Sequence, residues 1–406
     1  MTPQLGGVPG FRDLLPLEAE ILREAQESLL AEMRRWGYRH VITPLVENMD
    51  VLDVGLGVEQ RRRLFKFTDG RVVAGKLRSA ALPLRLCYSG PVLSTDEGRF
   101  QQRRETYQVG AELIGASGPV ADAEVIALAA RCMEATGIRR YQIDVGHAEF
   151  FHGIMDAVKL PDEVKAAVRD ALVARDFVAL ESLLEGTPLK SAEHELLLRF
   201  PALRGGPEIL DAAGGLVRNR RSEAALSELG RVRELLVAHG IGDVVVLDLG
   251  AIRDFDYYTG VIFEGYGPDF GRPIAQGGRY DALLARFGRP APATGFMIQL
   301  DLVSEMLTRA PRPPALPRLD AALAWSESGL GTALRLGSTL RLFGMRAVVD
   351  TQPRSPAEAQ AWWRAIGAAN LVYCRSEASV SWSSGGQRAR SLPPEQVAGR
   401  LAGGVA

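Results

Sequence analysis

Cysteine is scarce in this chain. The 406 residues contain three, Cys87, Cys132 and Cys374, far apart and odd in number. No CxxC pair and no Cys/His spacing of a zinc site occurs, so neither a disulfide framework nor a metal is expected, and a reduced cytoplasmic setting fits best. Histidine is nearly as rare, at five. Only His147 and His152 are close, and HAEFFH lacks the glutamate placement of a zinc helix. Lysine also numbers five among 48 basic residues, an arginine bias that genome composition explains as readily as chemistry. No apolar run approaches a membrane span and no signal peptide is read at the start, so a soluble protein without membrane contact is expected. Net charge is missing as well. Basic and acidic residues number 48 and 49, a formal net charge of -1 that offers a polyanion no global field.

What remains is an ordinary globular composition, 47% hydrophobic and 24% charged, long enough for two or three domains. Apolar residues recur at helical spacing from Leu17 to Trp36, and Gly37 stops the helix. The run 38–44 reads as a strand, and 64–75 as a hairpin turning at Asp69-Gly70. Residues 83–93 and 105–115 form a second strand pair, joined by the polar loop 94–104. A helix follows over 122–137, then the strand YQIDVG. Residues 156–240 turn leucine-, alanine- and charge-rich with helical periodicity, a helical insertion, and strand signals resume from DVVVLDLG to GFMIQLDLV. Hairpin strands with helices grouped elsewhere indicate an α+β domain over 1–310, an antiparallel sheet flanked by helices. PRPPALP (311–317) is a linker by composition. Beyond it, strands and helices alternate, so 318–406 is expected to be a small α/β domain with a parallel sheet.

Residues 253–260 read Arg-Asp-Phe-Asp-Tyr-Tyr-Thr-Gly beside two β-rich runs. Arg253 offers a guanidinium to a ligand carboxylate, while Asp256, Tyr257 and Tyr258 offer a carboxylate and hydroxyls to an imidazole. The same residues would equally finish a strand, rings buried and polar tips wet.

Four stretches, in order, carry a resemblance. They are PGFRDLLPLEA (9–19), WGYRHVITPLVE (36–47), YQVGAELIG (107–115), and DFDYYTG followed by GGRYDALLARFG (277–288). Together they resemble the core of histidyl-tRNA synthetase, a class II aminoacyl-tRNA synthetase, over about the first three quarters of the chain. The C-terminal residues are similar to that family's anticodon-binding domain. The resemblance implies a class II sheet, a dimer formed through residues 17–47, and an amino-acid pocket containing Gln108 and Glu112 along with Arg253, Tyr257 and Tyr258. Gln108 and Glu112 share one face of a regular strand. They would serve a ligand's amino group and imidazole, or persist as a hydrogen-bond network that keeps the fold rigid. Gly277, Gly278 and Arg279 are expected to be a tight strand turn with a solvated arginine.

Three departures bear on activity. The family meets the negative charge of adenylate formation with two arginines. Aligning back from Gln108 places Ser94 where the first belongs, and Leu302 stands in the place of the second. The loop after Gly70 that would contact the amino group is cut short. Removing one such donor costs roughly 100–1,000-fold in rate. Arg99, Arg103 and Arg104 are the remaining candidates to replace it. With these losses the chain resembles the regulatory subunits of short-form ATP phosphoribosyltransferase, paralogues of the synthetase, and LRLCYSG and EVIALAA also look like that branch. The resemblance implies a noncatalytic protein without cofactor, partnered by a phosphoribosyltransferase catalytic subunit, a homodimer within a hetero-oligomer, with histidine as effector in histidine biosynthesis. The alternatives are an active histidyl-tRNA synthetase and a noncatalytic tRNA-binding sensor. The C-terminal stretch Arg318–Arg400 has ten arginines against six acids, mildly basic, but the near-neutral total speaks against tRNA.

Overall fold

The computed structural model describes residues 8–45, 72–93, 103–174, 176–250, 258–268, 270–310, 318–385 and 389–402. They fall into two compact units, Met1–Pro314 and Ala315–Ala406. In the first unit, α1 (Pro16–Arg35) buries Ile21, Leu22, Ala25, Leu29, Leu30 and Met33, the stripe its spacing predicts. Gly37, at φ +82°, ends it in a conformation that side chains disfavour. β1 (Arg39–His40) is two residues long rather than seven. Val41 still donates to the Cys87 carbonyl, but the ladder stops before Pro44, which has no N–H to give.

The expected hairpin over 64–75 is corrected where it can be seen. Residues 64–71 lie outside the described residues, and Val72–Lys76 is a helical turn. Arg289 donates to the Val73 carbonyl of this turn and to that of Leu77 just beyond it. The next pair, β2 (Leu84–Leu93) and β3 (Glu105–Ile114), forms a ten-residue antiparallel ladder.

Then come α2 (Pro119–Ala135) and β4 (Gln142–His147). Ala121, Ala123, Ala127, Ala129 and Ala130 of α2 are buried, which lets the helix lie between the sheet and other helices. The helical stretch starts at Ala148, earlier than the sequence pattern places it. It comprises α3 (Ala148–Ala157), α4 (Asp162–Ala174), α5 (Phe177–Glu185) and α6 (Ser191–Arg199). It is also interrupted. β5 (Arg204–Gly205) adds to the main sheet before α7 (Glu208–Leu216) and α8 (Arg220–Ala238). The unit closes with β6 (Val245–Asp248), β7 (Val261–Tyr266), β8 (Pro273–Arg279), the short α9 (Leu283–Arg286), β9 (Ala293–Gln299) and α10 (Leu300–Arg309).

These strands make one nine-stranded sheet, β1-β2-β3-β9-β8-β7-β4-β6-β5. It is antiparallel except for the pairs β1/β2 and β4/β6. Alternation splits it into two faces. Val109, Ala111 and Leu113 of β3 join Phe296, Ile298, Phe263 and Val145 in the core that includes α1, α2, α8 and α10. The other face carries Gln108, Gly110 and Glu112.

The second unit has a five-stranded sheet of β10 (Ala321–Trp325), β11 (Ala347–Val349), β12 (Asn370–Cys374), β13 (Val380–Ser384) and β14 (Arg390–Leu392), in the order β11-β10-β12-β13-β14. Three of these strands are parallel, as expected, but β13 and β14 return antiparallel. VSWSS and RSL are short and polar and give almost no strand signal. Helices α11 (Leu330–Leu342) and α13 (Pro394–Ala402) cover one side of the sheet, and α12 (Pro356–Ile366) covers the other.

Candidate functional site

The face of the large sheet opposite the main core is built around glycines. Register sets Gly110 opposite Tyr88, Glu112 opposite Gly295, and Gly295 opposite Gly278. A β-carbon on Gly110 would strike the Tyr88 ring, and one on Gly295 would strike the Glu112 carboxylate. One on Gly278 would sit 2.8 Å from Cε1 of Tyr258. The bare backbone at these positions is therefore what lets Tyr88, Glu112 and Tyr258 lie across neighbouring strands.

Glu112 is buried, and the Tyr280 hydroxyl donates to it. Tyr280 is itself buried among Val73, Leu86, Ile114 and Leu283, and Tyr258 packs half-buried on the same cluster. The approach of Tyr258 is held from the next residue. Thr259 N–H donates to the Arg279 carbonyl at 2.8 Å, and Asp281 N–H donates to Thr259 Oγ1 at 2.9 Å. Gln108, buried on the same face, stands opposite Gln299. Chemically this is a carboxylate ringed by phenols, able to accept an N–H of a planar ligand such as an imidazole while one ring packs on it.

Arg279 is not the solvated arginine expected. It ends β8 rather than forming a turn, and is 3% exposed. Its Nε donates to Asp122 at 3.0 Å and its Nη1 to Asp281 at 2.9 Å. Burial pushes the Asp122 carboxyl up, although Arg279 opposes the shift. Asp281 completes the clamp by accepting from Ala293 N–H at 3.0 Å. The clamp ties α2, β8 and β9 together directly beside Tyr280. His147 Nδ1 accepts from Glu149 N–H at 3.2 Å and caps α3. Among the described residues, no group of three or more His, Cys, Asp or Glu side chains is arranged to hold a metal.

The start of α10 is different. Leu302, in the first turn of α10, is 5% exposed and part of the main core. Asp301 beside it accepts from Tyr107 N–H at 2.6 Å and from Arg103 Nη1 at 3.2 Å. Arg103, one of the possible replacements for a missing arginine, is thus engaged by an aspartate. Arg104 N–H donates to the Gly10 carbonyl at 2.8 Å.

The structure brings Gln108, Glu112 and Tyr258 onto the one face. Arg253, Asp256 and Tyr257, like Ser94 and Arg99, lie outside the described residues. Tyr88, Tyr280 and Gly295 do not stand out in the sequence, Tyr280 being one residue of the stretch GGRYD. Cross-strand register brings them together, and one-dimensional spacing carries no such signal. The same holds for Asp144, which accepts from Arg204 Nη2 at 2.9 Å, and for Glu264, which accepts from the Tyr266 hydroxyl at 2.5 Å, on the same face.

A mostly antiparallel sheet backed by helices, with a glycine-lined face that gathers Gln108, Glu112, Tyr258 and Tyr280, defines a class II synthetase-type core. The sequence profile of the family described as histidyl-tRNA synthetase matches residues 10–75 and 70–303. A histidyl-tRNA synthetase from Nostoc sp. superposes with a TM-score of 0.83 over 98% of this chain and 99% of its own, at 17% identity, a likeness of fold alone. A structure described as an ATP phosphoribosyltransferase regulatory subunit/histidyl-tRNA synthetase from Bacillus halodurans superposes with a TM-score of 0.80 at 28% identity, covering 93% of this chain and 100% of that one. The ATP phosphoribosyltransferase regulatory subunit of Desulforamulus reducens is 37% identical over 91% of this chain and 96% of its own length. That of Moorella thermoacetica is 38% identical over 87% and 94%. The chain belongs to this histidyl-tRNA synthetase-like family of ATP phosphoribosyltransferase regulatory subunits.

Proposed function

We propose that the chain binds histidine on the Glu112 face, activates a separate ATP phosphoribosyltransferase catalytic subunit, and conveys end-product inhibition to it. The burial of Leu302 carries this reading. A leucine in the core has no charge to offer a phosphate, while the recognition half, with Glu112, Tyr280 and Tyr258, stays assembled. Sensing needs only a difference in affinity between two states, about 1–3 kcal/mol of coupling, and no bond-making. The chain would self-associate through residues 17–47, where Leu17, Ile42 and Leu45 are exposed. Mixing the purified chain with a short-form catalytic subunit is expected to raise phosphoribosyltransferase activity, and added histidine to lower it. Absence of both complex and activation would overturn the proposal. Histidine-dependent exchange of pyrophosphate into ATP would favour an active synthetase instead.

A further inference from the structure

On the helical side of the sheet, away from Glu112, a cavity of about 440 Å³ opens between the ends of α1 and α8 and the start of α2. Trp36, Gly37, Arg85, Val120, Glu124 and His239 line it. We propose that this cavity binds a small heteroaromatic carboxylate, its ring laid on Trp36 and its carboxylate on Arg85.

The polar end is preorganised. Arg85 donates from Nε and Nη2 to the two oxygens of Glu124, each at 2.7 Å, and Glu124 also accepts from the Tyr38 hydroxyl at 3.1 Å. The fork fixes the guanidinium plane, and among the described residues no acceptor engages Nη1. A rigid arginine edge with unspent N–H groups is suited to a carboxylate, because little side-chain entropy is lost on binding. The other wall is also set. Trp36 Nε1 donates to Glu32 at 3.0 Å, which orients the indole, and the ring stacks on His239 at 5.9 Å and 26°. His239 is held through its carbonyl, which accepts from Arg131 Nη2 at 3.1 Å, so its exposed imidazole edge is left for a ring nitrogen. Val120, 67% exposed, closes the site with an apolar surface.

Charge decides the class of ligand. Arg85 keeps Nη1 for one carboxylate, and the lining holds no second arginine or lysine for the further charges of a polyphosphate. An anion without a ring would leave Trp36 and Val120 unused, and an uncharged ring would leave Nη1 unused. The site shares no residue with the Glu112 face and stands whether or not that face binds histidine.

The test uses the indole N–H signals of the full chain labelled with nitrogen-15. Trp36 is the only tryptophan before position 325, and its signal is assigned by its loss in Trp36→Phe. Nicotinate and, separately, L-histidine are titrated, with ATP as the counter-probe. A saturable shift of the Trp36 signal is expected with the carboxylates, with the other four indoles unmoved and ATP without effect. Arg85→Gln is expected to weaken binding about tenfold or more, as loss of a charge-assisted bond would. Should that variant fail to fold, Val120→Phe, at an exposed position, fills the cavity and is expected to abolish the shift. No movement with either carboxylate overturns the proposal, as does movement that survives Val120→Phe or is produced by ATP alone.

Discussion

A carboxylate as deeply placed as Glu112 needs donors in the free protein and space for its own oxygens. Tyr280 supplies a donor, and Gly295 supplies the space. Gly295→Ala would drive a methyl into the Glu112 carboxylate and to 2.7 Å from the Ala111 carbonyl. Overpacking of that kind costs about 1–3 kcal/mol. The expected outcome is a chain that still folds, unfolds earlier in urea, and gives less heat with histidine in calorimetry than the wild type. Histidine heat equal to that of the wild type would remove Glu112 from the pocket. Leu302 and Arg279 teach the complementary point. That position 302 is a leucine is visible in one dimension, but that it has joined the core is not. Arg279, conversely, reads as surface and is buried, because Asp122 from a helix distant in sequence meets it.

Among the elements, α3 and α8 are joined by an ion network. Arg221 of α8 donates from Nη2 to Glu149 at 2.8 Å and from Nη1 to Asp156 at 2.5 Å, and His152 lies 3.1 Å from Glu149. Burial, the largest single influence on Glu149, raises its carboxyl, but His152 and Arg221 together reverse this and hold it at about 2, below the ordinary 4.5. A carboxyl depressed in the folded state stabilises above its unfolded value, and that contribution is lost as pH falls through the folded one. The window here runs from about pH 5 down to about pH 2. Solvent screening keeps the pair's worth to about 1 kcal/mol. Arg221→Ala is expected to lower the urea midpoint at neutral pH and to narrow its gap from wild type on acidification through that window. An undiminished gap at the acid end would exclude this network as the cause. Element identity in this region was legible from leucine and alanine periodicity. β5 was not, since two residues have no period, and only pairing with β6 makes them a strand.

For the whole molecule, charge is the simplest determinant. The total is -1, with the arginine excess confined to the C-terminal stretch. Such a protein is expected to hold tRNA only in the non-specific range, Kd about 10⁻⁴–10⁻⁶ M at physiological salt, and to release it as salt rises. Filter binding in the nanomolar range would instead favour a tRNA-dependent role. Among the described residues no helix is long and apolar enough to cross a membrane. The chain's own sequence determined the α+β class, most of its helices and long strands, and the family, because periodicity, breakers and residue identity are local properties. It left open which side chains meet. The Glu112–Tyr280 contact, the glycine floor, the Arg279 clamp, the Asp301–Arg103 pair and the cavity at Trp36 each join residues far apart in the chain. Only strand register and helix packing in three dimensions decide such contacts, since a glycine's missing β-carbon matters solely through the neighbour that fills its place.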